Sequence, residues 1–361
     1  MVNGPLHGIA RYALELCRHL PGLAPGWQFQ VLVGPAGLPD DLGALHPRLT
    51  QIRCAAEFLS PLEQPAMLAA LTLSGPALFH ATSFSVPLLW PGKLVATLHD
   101  ATHLALTESS SLTINAYYKA VVRPRASRAK ALITVSEFSR GELAAHLQLA
   151  PERLQVIPNG VDTAFRMATE SELADFRARR GLPERYFAAI GSLKHHKNLK
   201  VLGPIAESLP ARLTLLAGRG ARRALGFPDS VYELSPLSDR DLALFYAGAV
   251  AVLVPSRYEG FGLPALEAMA CGAPVIAADA GAHREVVGSA GLLVDPDDSA
   301  AWLEAAQRLS RDEALRTELS LKARERADRY TWDDCARRTL QVYRRALALE
   351  DDGPRLTPPS R

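Results

Sequence analysis

Two glutamates, Glu259 and Glu267, stand with seven residues between them in the run Glu259-Gly260-Phe261-Gly262-Leu263-Pro264-Ala265-Leu266-Glu267. The carboxylates flank a glycine-flexed turn. Pro264 suits a first helical position, where its missing N–H costs nothing, and Gly272 suits the residue just past a helix end. A helix begun there turns the amides of Gly262 and Leu263 outward, a ready site for phosphate. Glu267 would then lie about two turns along that helix. The layout fits a ligand with phosphate in its middle and hydroxyls at both ends. A surface turn leading into an exposed helix explains the same letters.

Other residues could serve such a ligand. Gly191-Ser192-Leu193-Lys194-His195-His196-Lys197-Asn198 follows an apolar run. A strand ending in Gly, then a basic loop opening a helix, faces phosphate. A lysine there can neutralise a diphosphate as its bond breaks. Lys197, nearer the expected helix start, is the candidate ahead of Lys194. His99-Asp100 closes another apolar run, where a polar pair faces a cleft. His99 either contacts a hydroxyl or caps the next helix. The glycines within residues 3–12, Gly8 among them, let the backbone approach a ligand closely. Lys119, Arg123, Arg125, Arg128 and Lys130 form a run without an acid. Such a face suits anionic lipid headgroups or a phosphorylated acceptor, or is simply solvated.

The elements that must position these residues are α/β. At 361 residues with 48% hydrophobic content the chain has the material for two domains. A net charge of +2 gives no mandate for nucleic acid. Cys17, Cys54, Cys271 and Cys335 are scattered, the pattern of reduced thiols in a cytoplasmic protein. No apolar run is long enough to span a bilayer, and no export leader is expected. Strand-like runs at 29–34, 77–80, 93–98, 131–135 and 154–157 alternate with helical patterns at 9–20 and 137–147. Ser139 and Glu142 fit a capping box within the second, which leaves its start open. Further strands are expected at 186–191, 212–218, 231–234, 250–255, 274–279 and 291–294. This rhythm reads as two Rossmann-like domains, 1–165 and 166–331, whose ligands lie beyond the carboxyl ends of the strands. An amphipathic helix at 332–350 and a disordered tail at 351–361 follow. No Walker loop, HExxH or GxSxG is present. Asp295-Pro296-Asp297-Asp298 reads as a helix N-cap rather than a metal-holding pair. No metal and no cofactor are expected, with lysine and helix-terminal amides clamping the diphosphate.

In this order and spacing the pieces resemble glycosyltransferase family 4, retaining enzymes of the GT-B fold. Carrying the resemblance are Gly8–Tyr12, His99-Asp100, Val135–Ser139, Val156–Asp162 (VIPNGVD), Gly191–Asn198, Pro255–Glu267 (PSRYEGFGLPALE) and Gly272–Val275. It covers roughly residues 4–350 and looks nearest to mannosyl- or rhamnosyltransferase-like members. The resemblance implies transfer of a hexose from a GDP- or UDP-sugar to a hydroxyl of a glycan or lipid-linked acceptor, in polysaccharide or glycolipid synthesis. By it, Glu259 and His99 contact the donor sugar from opposite domains, and Glu267 accepts from the ribose. Lys197 with the Gly262 and Leu263 amides holds the diphosphate. Phe261 and Ser192 belong to the donor site, and the Gly8 loop borders diphosphate and acceptor. Peripheral contact at the inner membrane face through residues 119–130 is a further expectation.

Two departures from that pattern matter. Relatives begin with a hydrophobic strand ahead of the glycine loop, whereas Met1 stands seven residues before Gly8. The first strand of the N-terminal domain is therefore expected to be missing, with the natural start upstream of Met1. Ser192 stands where many relatives carry an Arg, leaving Lys197 as the main cation. A sugar-nucleotide hydrolase or epimerase, and an inactive scaffold, are the alternatives.

Overall fold

Short apolar runs, several of them buried along their whole length, form the centre of the sheets of this protein. The computed structural model describes residues 8–35, 46–57, 60–106 and 112–348. In its second half, β7 (Tyr186–Ile190), β8 (Arg212–Leu216), β9 (Tyr232–Glu233), β10 (Ala251–Val254), β11 (Val275–Ala278) and β12 (Leu292–Val294) form one sheet. All its pairings are parallel, in the order β12-β11-β10-β7-β8-β9. Both faces are covered. Tyr186, Ala188, Val252 and Val254 enter one core, while Phe187, Ala189, Ala251 and Leu253 enter the other. This period-two split lets an unbroken apolar strand serve two helical layers.

The first half is divided. β3 (Phe79–Ala81), β4 (Leu94–Thr97), β5 (Ala131–Thr134) and β6 (Leu154–Val156) pair in that order, all parallel. β1 (Phe29–Val33) and β2 (Leu49–Arg53) pair only with each other. Between the two sheets lies a cavity of about 450 Å³, lined along consecutive residues 29–33 and 74–83. Lining by consecutive rather than alternate residues means that strand edges, not faces, border it. The residues before Gly8, with the expected glycine turn at residues 3–7, lie outside the described ones, as does the tail 351–361.

β2 and the helix Glu63–Ser74 are absent from the sequence-derived element order. β2 buries Leu49 and exposes most of its other residues, so no apolar run marks it. The terminal helix, Trp332–Leu347, starts behind its Thr331 N-cap. With the first helix, Gly8–Leu23, it covers one face of the four-stranded sheet. Tyr12, Trp332 and Tyr343 share a core there with Val95 and Ile133. Arg338 donates to the Val156 carbonyl at 2.7 Å, tying the crossing helix to this lobe. The turn at Gly160 passes so close that an added Cβ would lie 2.1 Å from the Trp332 nitrogen, so only glycine fits.

Candidate active site

At the centre of the second sheet β7 and β10 are neighbours, although their sequence neighbours lie on opposite sides. Loops leaving their carboxyl ends diverge, opening a crevice where such sheets bind ligands. The Arg257 amide donates to the His196 carbonyl at 2.8 Å, joining the two loops. Lys197 Nζ then reaches Glu259 Oε1 at 2.7 Å. The helix start expected at Lys197 is instead two short 3-10 turns, 195–197 and 199–202, separated by Asn198 at φ 54°. Asparagine tolerates this left-handed conformation, and its side chain donates to the Pro296 carbonyl at 2.7 Å.

Burial pushes the Glu259 carboxyl upward, but the Lys197 charge and hydrogen bond, with His283 and the Ser256 hydroxyl, together outweigh it and hold the group below the usual carboxylate range. Glu259 therefore stays ionised beside a cation. Behind it the chain turns through Gly262, at φ 92°, into the helix Leu263–Ala270 with Pro264 in its first turn. An added Cβ on Gly262 would lie 3.0 Å from the His283 ring, so this position requires glycine twice over. In that first turn Pro264 has no N–H, and the Ala265 and Leu266 amides donate to the Gly262 carbonyl at 3.1 and 3.2 Å, which leaves the Gly262 and Leu263 amides as the candidates for phosphate. An added Cβ on Gly8 would lie 3.3 Å from Leu263 Cδ1, so the opposite lobe closes over that helix start.

Residues 6–165 match the family described as Glycosyltransferase Family 4, and residues 172–326 match Glycosyl transferases group 1. The chain belongs to glycosyltransferase family 4. This glycosyltransferase is 26% identical to the O-antigen chain mannosyltransferase B of Escherichia coli, across 95% of its own length and 97% of the relative. It is 36% identical to a D-inositol 3-phosphate glycosyltransferase of Salinispora arenicola over 62% of its length, spanning just over half (56%) of that relative. A sucrose-phosphate synthase of Thermosynechococcus elongatus superposes with a TM-score of 0.77 at 23% identity, covering 95% and 94% of the two chains. An Anabaena HepE protein solved with UDP and glucose gives 0.75 at 20% identity, covering 95% and 97%. These structural likenesses concern the GT-B fold.

The glycosyltransferase's other candidate residues fall into two groups. His99 follows β4 and faces the Glu259 loop: an added Cβ on Gly260 would lie 3.1 Å from the His99 carbonyl and 2.6 Å from Asp100 Cβ. Its Nε2 meets the Thr82 carbonyl at 3.0 Å. Because a carbonyl only accepts, this contact places the proton on Nε2 and leaves Nδ1 as an acceptor. Burial lowers the His99 pKa, so the ring is neutral, and its orientation is braced by the edge of Tyr12 at 4.8 Å. Ser192 is half-buried in the Lys197 loop. The Phe261 ring is buried against Tyr330 at 5.8 Å, because the turn must be anchored in the core beneath it.

Glu267 sits little more than one turn into its helix rather than two, because the helix begins at Leu263. It is only 8% exposed, accepts from the Tyr246 hydroxyl at 3.3 Å, and lies in the field of Arg11 from the other lobe. Burial drives its carboxyl up to about 8 against the pull of Arg11. A raised carboxyl stabilises the fold fully below its unfolded value near 4.5, and that contribution is lost as pH rises through about 8. Denaturant unfolding of Glu267→Gln should therefore lack part of the stability decline that the natural chain shows between those pH values. Identical pH dependence in both would contradict the buried, protonated carboxyl.

Arg11 was noted in sequence only as one letter of the Gly8–Tyr12 motif. It bridges to Asp162 at 3.5 Å in its own lobe and to Asp239 at 2.7 Å in the other, joining the two. A charged residue on the first turn of an otherwise apolar helix face was the available signal. Asp239 carries no such signal, since its partner is 228 residues away.

Proposed function

We propose that this glycosyltransferase moves a mannose-like hexose from a GDP- or UDP-sugar to a hydroxyl of a glycan or lipid-linked acceptor. Configuration is retained, no metal takes part, and the product belongs to polysaccharide or glycolipid synthesis in the cytoplasm. The observation that carries this reading is the Lys197–Glu259 pair at 2.7 Å, on the loop that leads through Gly262 into the helix at Leu263. Lys197 and the Gly262 and Leu263 amides provide the positive field that a departing diphosphate needs, without a metal. The donor's anomeric carbon–oxygen bond breaks, and the acceptor oxygen bonds to that carbon from the same face. The acceptor proton leaves on the diphosphate. Glu259 and neutral His99 hold sugar hydroxyls from opposite sides, and Glu267 takes the ribose. A relative matched over nearly the whole chain and named as a mannosyltransferase supports the choice of sugar. Lys119, Arg123, Arg128 and Lys130 are exposed, and peripheral attachment to anionic lipid completes the reading.

Thermal-shift screening against a sugar-nucleotide panel tests it, since a ligand bound only by the folded state raises apparent stability. GDP- or UDP-sugars should raise Tm, and transfer should persist in excess EDTA. Loss of transfer that Mg²⁺ or Mn²⁺ restores would refute metal independence. Absence of any shift across the panel would refute the donor class. Sedimentation with vesicles containing anionic lipid, reversed by salt, tests the membrane contact.

A further inference from the structure

The first lobe grips the peptide bond next to Glu259. Ser136 Oγ and Ser139 Oγ both donate to the Gly260 carbonyl, at 2.5 and 2.9 Å. Both serines are buried, at 2% and 0% exposure, so the contact is shielded from water. Ser136 is also the N-cap of the helix Glu137–Leu147, accepting from the Ser139 amide at 2.9 Å. The capping box expected from Ser139 and Glu142 is displaced by this earlier cap. On the other side Glu285, from the second lobe, accepts the first-turn amides of the same helix: Glu137 N at 2.7 Å and Phe138 N at 2.5 Å. A carboxylate at a helix N-terminus satisfies unpaired donors and complements the helix dipole. Three residues before Glu285, the Ala282 amide donates to the Glu259 carbonyl at 3.1 Å.

Glu259 is thus held by its own lobe through Ala282 and by the opposite lobe through the next carbonyl. Two hydroxyls fill both lone-pair directions of the Gly260 oxygen, and Gly260 abuts Asp100 so closely that a side chain would prevent the approach. If the lobes part, that carbonyl loses both donors together and the helix at Glu137 loses its carboxylate. The contacts form or break as a unit with closure.

We propose that Ser136 and Ser139 are positioning residues for sugar transfer, setting Glu259 through the Gly260 carbonyl only when the lobes are closed, with Glu285 locking the helix that carries them. This rests on the transfer reaction proposed above. Their role is to complete the orientation of a group that its own lobe already holds through Ala282 and Lys197, and orientation acts on turnover rather than on nucleotide binding.

The experiment compares the natural chain with Ser139→Ala, Glu285→Gln and their combination, using the sugar nucleotide found by the panel. Ser139→Ala keeps the Ser136 cap and removes one bond to Gly260. Its kcat should fall by about tenfold, with KM for the donor and Tm nearly unchanged. The combination should lose less than the product of the single losses, since the contacts act as one unit. Unchanged kcat in both single variants, or loss explained by a matching fall in Tm, overturns the proposal. A readout independent of transfer accompanies it: hydrogen exchange at the Glu137 and Phe138 amides with and without GDP or UDP. The nucleotide should slow exchange there in the natural chain but not in Glu285→Gln. Equal exchange in both proteins also overturns it. A natural chain that binds nucleotide and shows the clasp by exchange, yet transfers no sugar, would refute the function proposed above and leave the clasp demonstrated.

Discussion

Lys197→Ala is expected to cut turnover by about 10²–10³-fold, the loss typical of removing one electrostatic stabiliser. Two effects combine. The departing diphosphate loses its nearest compact cation, and Glu259 loses the partner at 2.7 Å that keeps it ionised. Burial alone pushes that carboxyl upward, so without Lys197 its pKa must rise. The acid limb of the kcat/KM profile should therefore move to higher pH, together with weaker binding of GDP or UDP. Stability should follow the same linkage. In the natural chain the depressed carboxyl contributes stability above its unfolded pKa and loses it as pH falls through the lower folded value. In the variant that contribution should shrink, because only His283 and the Ser256 hydroxyl remain to hold the carboxyl down against burial. Steady-state kinetics and denaturant unfolding across pH read both effects. Transfer at the natural rate would remove Lys197 from the mechanism.

Glu259→Ala should lose turnover to a similar extent, on the order of 10²–10³-fold, but with the opposite effect on nucleotide affinity. Removing the carboxylate frees Lys197 Nζ from its ion pair at 2.7 Å. GDP or UDP should then bind as tightly as before or tighter. The additional affinity that the sugar confers on the intact donor should shrink, because the carboxylate that holds its hydroxyls is gone. Calorimetry with nucleoside diphosphate and with sugar nucleotide separates the two. Equal weakening of both ligands would assign Glu259 to the diphosphate instead.

These opposed affinities follow from one contact, and sequence and structure divide the credit for it. Short-range chemistry was legible. Pro264 opened its helix and Gly262 took a positive φ, since these follow from proline's missing N–H and glycine's missing Cβ. Asp298 capped the helix at Ser299, as an aspartate before a helical pattern does. The central strands β7, β10 and β11 stood out because strands buried on both faces are apolar throughout. β2 did not, because an edge strand with polar residues lacks that signature.

What the linear order could not decide was which groups meet. Lys197 and Glu259 are 62 residues apart, and only the central placing of β7 beside β10 brings their loops together. Ser136 and Gly260 are separated by 124 residues and by the lobe boundary. Phe261 reads like its glycine neighbours in the motif, yet packing sends its ring into the core. Glu267 reads as a helical carboxylate for a ribose, yet burial beside Tyr246 raises its proton affinity. The sequence by itself determined backbone conformation, burial periodicity and the kinds of charge available, because these depend on residues within a few positions. Tertiary structure alone decided partners and protonation states, because Coulomb fields and desolvation depend on distance in space.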